Sequence, residues 1–381
     1  MNLLGIIAEY NPFHNGHKYH IEKSKAELNP DATVVVMSGN FTQRGSCACY
    51  DKWTRAKCAL LNGADLVIEL PTTFATASAE RFAHGSVYLL DKIGVNNISF
   101  GSETNLNELE EIADKLLSDE FKIESPSETP FHIARQEALD NNEILSKPNN
   151  ILAIEYLKAI KNLNSVIVPH RIERHLAGYN DLKVTDGFAS ATKVREIIRN
   201  KENYNEVIPK NVYEILSNQS FIDEEKLFNY IKYAIISKSV EELSKFAHIR
   251  EGIESRIYKC AFEAESLDEL IKSVKSKRYT YTAISRMLIS ILLGIEKENP
   301  IANPQYIRVL GLNDNGAKAL KLIKNTCDLP IITKLSANIG NLSADALKEI
   351  NTDIMASDIY YTCAGIKTYA RPDFLNSPVK L

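Results

Sequence analysis

The feature that most limits the fold of this chain is an alternation. Through the first 170 residues, apolar runs too short for helices are separated by longer stretches with helical apolar spacing. The short runs are Leu3 to Ala8, Thr33 to Met37, Asp65 to Leu70, Asn97 to Phe100 and Ser165 to Pro169. The second opens with four β-branched residues in a row, which suit a pleated strand. Between them, Gly16 to Leu28, Lys52 to Asn62, Phe74 to Ile93 and Asn149 to Lys161 read as helices, with stops at Asn29-Pro30, Gly63 and Gly94. Strands alternating with helices imply an α/β architecture with a parallel sheet covered on both faces. Ligands of such sheets bind where strands end at their carboxyl edge. Three polar segments follow strands directly: Glu9 to His17, Ser38 to Gly45, and Gly101-Ser102-Glu103. They are expected to meet at one edge.

The rest of the chain differs. Ser125-Pro126-Ser127-Glu128-Thr129-Pro130 interrupts the pattern, so residues 119–148 read as an insertion. A polar stretch from Asn200 to Asn205 marks a boundary, giving expected domains of 1–200 and 201–381. Residues 209–298 are mostly helical by apolar spacing. A small α/β part follows: a strand over Tyr306 to Leu310, a helix over Gly316 to Lys324 and a strand-like Pro330-Ile331-Ile332. A length of 381 residues is comfortable for two domains. The formal net charge of −4 excludes a global basic field, so any contact with RNA must come from local patches. The six cysteines, at 47, 49, 58, 260, 327 and 363, form no Cys-x-x-Cys pair and read as reduced thiols. Met1 to Glu9 carries no basic leader, and no run reaches the ~18 apolar residues of a membrane span. A cytoplasmic protein with no membrane partner is expected.

His14-Asn15-Gly16-His17 sits directly after a strand and opens a helix. A helix N-terminus offers unpaired N–H groups and partial positive charge, so it attracts phosphate. Two imidazoles three residues apart can face one anion, and Gly16 lets a nucleotide approach closely. The alternatives are a plain histidine-rich loop or a pair of metal ligands. The segment is similar to the (T/H)-x-G-H signature of the nucleotidyltransferase and class I synthetase superfamily, whose histidines stabilise an ATP attacked at its α-phosphate. That resemblance implies a second signature late in the same domain, a Ser/Thr-rich turn with a basic residue at a helix start. Ser190-Ala191-Thr192-Lys193-Val194-Arg195 fits it. There Ser190, Thr192 and Arg195 would hold the β- and γ-phosphates. The alternative is an ordinary helix cap followed by a solvated basic face.

A longer resemblance covers the first 200 residues and continues weakly to the C-terminus. It rests on Gly5-x-x-x-Glu9-Tyr10-Asn11-Pro12-Phe13-His14-Asn15-Gly16-His17, Met37-Ser38-Gly39-Asn40-Phe41-x-Gln43-Arg44-Gly45, Asp65 to Pro71, Phe100-Gly101-Ser102-Glu103 and Ser146 to Leu152. In these blocks the chain resembles the bacterial tRNA(Met) cytidine acetate ligases. The family likeness implies a Rossmann-like nucleotidyltransferase domain followed by a mainly helical one that contacts tRNA. It implies that acetate and ATP give acetyl-adenylate, and that the acetyl group passes to N4 of the wobble cytidine of elongator tRNA(Met). It places ATP against Ile7, Ala8, Glu9, Tyr10, Asn11, Pro12, Phe13, His14, Asn15, Gly16, His17, Lys18, Tyr19 and His20. Gly101, Asn149 or Asn150, and Arg174 complete that set, with Arg171 as the alternative to Arg174. His14, His17 and Arg195 would be the catalytic groups. Mg²⁺ would be held by the nucleotide and water, with no metal site on the chain itself.

The residues suit that chemistry. Acetate is ionised at neutral pH, so its attack on phosphorus needs no general base. The barrier is charge build-up on the phosphates, which positioned donors lower. For the later amine step, Glu9 and Glu103 are candidate proton acceptors or simply structural. Arg44 is either a phosphate contact or a surface arginine on a turn. Lys193, Arg195, Arg199 and Lys201, and separately Lys272, Lys275, Lys277 and Arg278 beside Tyr279 and Tyr281, are candidate RNA contacts or solvated faces. Two rivals share the motifs: a small-molecule nucleotidyltransferase making a dinucleotide cofactor, and an RNA-binding protein without catalysis. The long second half favours a large substrate over the first, and the intact histidines argue against the second.

Overall fold

The computed structural model describes residues 1–118, 143–173, 187–250, 252–298 and 300–381. Five parallel strands form the frame: β1 (Leu3–Ala8), β2 (Ala32–Ser38), β3 (Leu66–Leu70), β4 (Asn97–Ser102) and β5 (Val168–Glu173). Three later strands, β6 (Ile307–Leu312), β7 (Ile331–Ile332) and β8 (Val379–Lys380), continue the same sheet. The order is β5-β4-β1-β2-β3-β6-β7, with β8 also on β6, and β6 runs antiparallel to β3. The sheet therefore draws strands from both sides of residue 200.

Successive side chains of a strand face opposite ways, and here both faces are apolar. Leu3, Val34, Val36, Leu66 and Ile68 pack with the helices Ala79–Ile93, Pro148–Asn162 and Asp314–Thr326. Leu4, Ile6, Val35, Met37 and Val67 pack with Asn15–Leu28, Lys52–Leu60, Ala191–Arg199 and Lys210–Leu216. A separate helical core takes Phe228–Ile236, Ile253–Glu263, Leu267–Val274 and Tyr281–Leu292, and it also buries Phe41 and Cys47 from the loop after β2.

Some boundaries differ from the expectations above. The stretch Phe74 to Ile93 is not one helix. Thr72–Ala75 forms a single turn, and Ser78 caps a second helix by accepting from the Arg81 amide. The fifth strand starts at Val168 rather than Ser165, since Ser165 turns back to bond Asp91 and Val166 is 89% exposed. Val379–Lys380 is too short to read as a strand without its partner β6. Most of the expected insertion, residues 119–142, lies outside the described residues. All six cysteines are unpaired thiols. Among the described residues no helix is long and apolar enough to cross a membrane.

The topology fixes where a ligand would go. From β1 the chain proceeds to β2 and β3 on one side, and to β4 and β5 on the other. Open α/β sheets place their ligand crevice at such a reversal, which here falls at the carboxyl ends of β1 and β4.

Candidate active site

At that crevice β1 ends in half-buried Ile7 and Ala8. The chain then turns sharply. Tyr10 has φ +48°, and the Asn11–Pro12 peptide is cis. Tyr10 and Phe13 are buried, their rings 4.8 Å apart between centroids. Burial pushes the Tyr10 phenol well above its ordinary range, so it stays protonated.

The two histidines then cap the helix Asn15–Leu28 together. The Gly16 amide donates to His14 Nδ1 (3.1 Å), and the His14 amide donates to His17 Nδ1 (3.2 Å). This is a capping box built from imidazoles instead of the usual hydroxyl and carboxylate. Because both Nδ1 atoms accept, each neutral ring carries its proton on Nε2. The rings stack with centroids 3.7 Å apart and planes 25° from parallel, and Tyr10 and Phe13 flank His17. A Cβ on Gly16 would lie 2.9 Å from His14 Cε1, so the capping ring already demands glycine there.

The second motif lies against the first. Arg195 Nη1 donates to the Asn11 carbonyl (2.8 Å), while its Nη2 reaches Thr192 Oγ1 (3.3 Å). Asn15 Nδ2 donates to the carbonyls of Gly187 and Glu206, both at 2.8 Å, and its amide donates to Val207. Ser190 caps the helix Ala191–Arg199 by accepting from the Lys193 amide. Tyr19 packs edge-on to Phe188. The Ser-Ala-Thr-Lys-Val-Arg turn and the histidine loop are thus one assembly, though some 180 residues separate them.

The other expected contacts fall around this assembly. His20 Nε2 bonds Ser99 of β4 (3.0 Å), and Lys18 pairs with Glu22 at the surface. Gly101 lies in β4 opposite Ile172 of β5. Asn149 donates to Glu103 Oε1 (2.7 Å). Asn150 is fully buried and holds the loop after β4: its Oδ1 accepts from Ser102 Oγ, and its Nδ2 donates to Thr104 Oγ1. Arg171 lies in β5, paired in register with Phe100, and its Nη2 is 3.6 Å from Glu173. Arg174 lies outside the described residues. Glu9 Oε1 accepts from the Gln43 amide (2.9 Å), which joins the loops after β1 and β2. Burial lowers the Arg44 pKa, Glu9 raises it and Arg195 lowers it, so Arg44 stands near both. Among the described residues no group of three or more His, Cys, Asp or Glu forms a metal-binding cluster.

Of the two basic stretches, the first is mostly engaged within the chain. Lys193 pairs with Glu196 (3.2 Å) and Arg199 with Asp223 (2.5 Å), while Arg195 serves the histidine loop. In the second, Lys272 pairs with Asp268 (2.7 Å), and the Arg278 guanidinium lies over the Tyr279 ring (5.9 Å to its centroid).

Arg55 escaped the sequence reading. It is buried, with Nε on the Tyr50 carbonyl (2.9 Å), Nη1 on those of Glu9 (2.6 Å) and Ser38 (3.1 Å), and Nη2 on that of Gly39. One guanidinium thereby ties the ends of β1 and β2. Its only sequence signal is a cation placed among the apolar residues of an otherwise ordinary helix, Trp53, Ala56 and Ala59.

Known proteins share this arrangement. A family model described as HIGH Nucleotidyl Transferase matches residues 1–372. A tRNA(Met) cytidine acetate ligase from Thermoanaerobacter sp. (strain X514) is 42% identical, with all of both chains covered. One from Clostridium perfringens is also 42% identical, covering 100% of this chain and 99% of the relative. Crystal structures of Thermotoga maritima TmcAL, apo and bound with alpha-thio ATP, superpose with TM-scores of 0.92 and 0.89 at 31% identity over the whole of both chains. The chain belongs to the HIGH nucleotidyltransferases and, among them, to the tRNA(Met) cytidine acetate ligase family.

Proposed function

We propose that this protein activates acetate with ATP and transfers the acetyl group to N4 of the wobble cytidine of elongator tRNA(Met). An acetate oxygen attacks the α-phosphorus, the bond to the β-phosphate bridge breaks, and pyrophosphate leaves. The cytidine amine then attacks the acetyl carbon, releasing AMP and one proton. The observation that supports this best is the 2.8 Å bond from Arg195 to Asn11, which sets the two phosphate motifs side by side.

In this reading the Nε2–H groups of His14 and His17 face the phosphates, and Arg195 with Thr192 and Ser190 holds the departing pyrophosphate. Such donors stabilise charge that develops during the attack, and they need no reorganisation when it does. Asn149, Gly101 and Arg174 or Arg171 border the nucleotide on the β4 side, with Asn150 supporting them from beneath. Mg²⁺ is assigned to the nucleotide and water, where it neutralises phosphate charge, because Glu9 and Glu103 already hold chain partners. The region beyond residue 200, above all the helical stretch 209–298, is assigned to tRNA contact. A tRNA substrate implies a cytoplasmic setting.

The test is acetate-dependent exchange of labelled pyrophosphate into ATP, followed by mass spectrometry of tRNA(Met). One added acetyl group on the anticodon cytidine is expected. Exchange that ignores acetate and requires a mononucleotide or a phosphopantetheine would overturn the proposal in favour of dinucleotide synthesis.

A further inference from the structure

Arg286 lies on the helix Tyr281–Leu292, against the turn of residues 42–46. Among the described residues its buried Nε has no acceptor, and its Nη1 reaches the Gln43 carbonyl at 3.5 Å. Among the described residues no carboxylate pairs with it. Burial pushes its guanidinium down to about 10, so it remains a cation at neutral pH. A desolvated cation without a counter-charge is costly unless an anion comes to it.

Three further observations surround this one. His248, at φ +68°, is pushed down to about 4 by burial and then by Arg286, Arg250 and Arg81. It is therefore neutral at pH 7, with three guanidiniums close by. Tyr279 Oη donates to the Arg250 carbonyl (3.0 Å), which brings the basic run Lys275-Ser276-Lys277-Arg278 beside Arg250. Lys275 and Lys277 are exposed. Finally, Gly45 has φ +75°, and a Cβ there would lie 2.3 Å from the Arg286 amide nitrogen. The turn is pressed onto the helix on one side, while on the other its Gln43 amide holds Glu9.

We propose that Arg286, Arg250 and the run Lys275–Arg278 form a cleft for phosphates of the tRNA backbone, leading to the turn beside Glu9. This rests on the RNA-modifying reading above and names the residues that would carry it. A row of cations suits a polyanion better than a compact anion. The ATP phosphates have their own donors in His14, His17 and Arg195. The chain's net charge of −4 repels RNA as a whole, so a local row of this kind is what binding requires.

The test is tRNA binding by the full-length protein against KCl concentration. Arg286→Met and Arg250→Glu are each expected to weaken binding roughly tenfold at 0.1 M salt and to reduce the log–log salt slope by about one. Lys321→Glu, on the exposed face of the helix Asp314–Thr326, makes the same charge change as Arg250→Glu and is expected to leave the slope unaltered. Acetate-dependent exchange without tRNA, measured in parallel, reports on folding. If Arg286→Met misfolds, the exposed Arg250→Glu decides. Unaltered affinity and slope in Arg250→Glu, or equal losses in Lys321→Glu, would overturn the cleft. Absence of acetate-dependent exchange in the parent would instead overturn the acetate reading, while the salt slopes would still test the cleft.

Discussion

Two polar clusters lie near the carboxyl edge of the sheet, and they are built in opposite ways. In the histidine loop, backbone groups hold the side chains: amides on both Nδ1 atoms, the Asn11 carbonyl on Arg195 and the Gly187 carbonyl on Asn15. Beneath β3 and β6, charged side chains hold one another. Lys52 Nζ lies 2.8 Å from Glu69 and 2.7 Å from Asp373, Arg308 Nη2 lies 2.9 Å from Asp373, and Asp353 bonds Tyr306 and the Thr72 amide. All are buried. Burial pulls the Lys52 ammonium down, but Asp373 and Glu69 raise it net above its usual value. Burial pushes Glu69 up, against Lys52. In the first cluster the partners are main-chain amides and carbonyls, whereas in the second they are side chains of opposite charge. The lesson is that buried charge alone does not mark a site. What matters is whether the charges are already matched.

The comparison can be broken most directly at Lys52. Lys52→Met leaves Glu69 and Asp373 without their shared cation and should cost about 3–5 kcal/mol of unfolding free energy in urea. A loss below about 1 kcal/mol would mean the sealed cluster is not a structural tie. His17→Ala should do the reverse. Exchange is expected to fall roughly 100- to 1,000-fold, the usual loss of one transition-state donor, whereas stability should fall only by about 1 kcal/mol, the value of a helix cap. Unchanged turnover in His17→Ala would deny the loop its catalytic role.

The effect that depends on pH concerns Glu349, buried beside the sealed cluster and bonded to the Gln305 amide and Thr73. Burial pushes its carboxyl up to about 8 from an ordinary 4.5. The folded chain therefore keeps a proton that the unfolded chain releases, and folding weakens as pH rises from about 4.5 to 8. Glu349→Gln mimics the protonated form. Its melting temperature should pull ahead of the parent's with rising pH, by the equivalent of roughly 4 kcal/mol at pH 8. A gap that narrows instead would show Glu349 ionised in place.

The histidine loop was legible in the sequence because its determinants are adjacent: strand, turn, cap and glycine lie within Leu3 to His17. The Ser-Ala-Thr-Lys-Val-Arg turn was legible only through family likeness, since nothing local ties Arg195 to Asn11. The sealed cluster was not legible at all. Lys52 and Asp373 are 321 positions apart, and each reads alone as an ordinary surface charge. Arg55 was missed for the same reason, as its four carbonyl partners appear only once β1 and β2 stand side by side. The break at Ser78 was missed because Phe74 to Ile93 keeps helical apolar spacing across it, and the cap outweighs that continuity.

The 321-position span between Lys52 and Asp373 also bears on how the protein is made. At some 5–20 residues per second, a ribosome places on the order of half a minute between the two. For that interval the nascent chain carries β3 with an open edge and an ammonium awaiting its second carboxylate. Water, or a chaperone, must stand in at that edge until β6 arrives, and at the ammonium until Asp373 does.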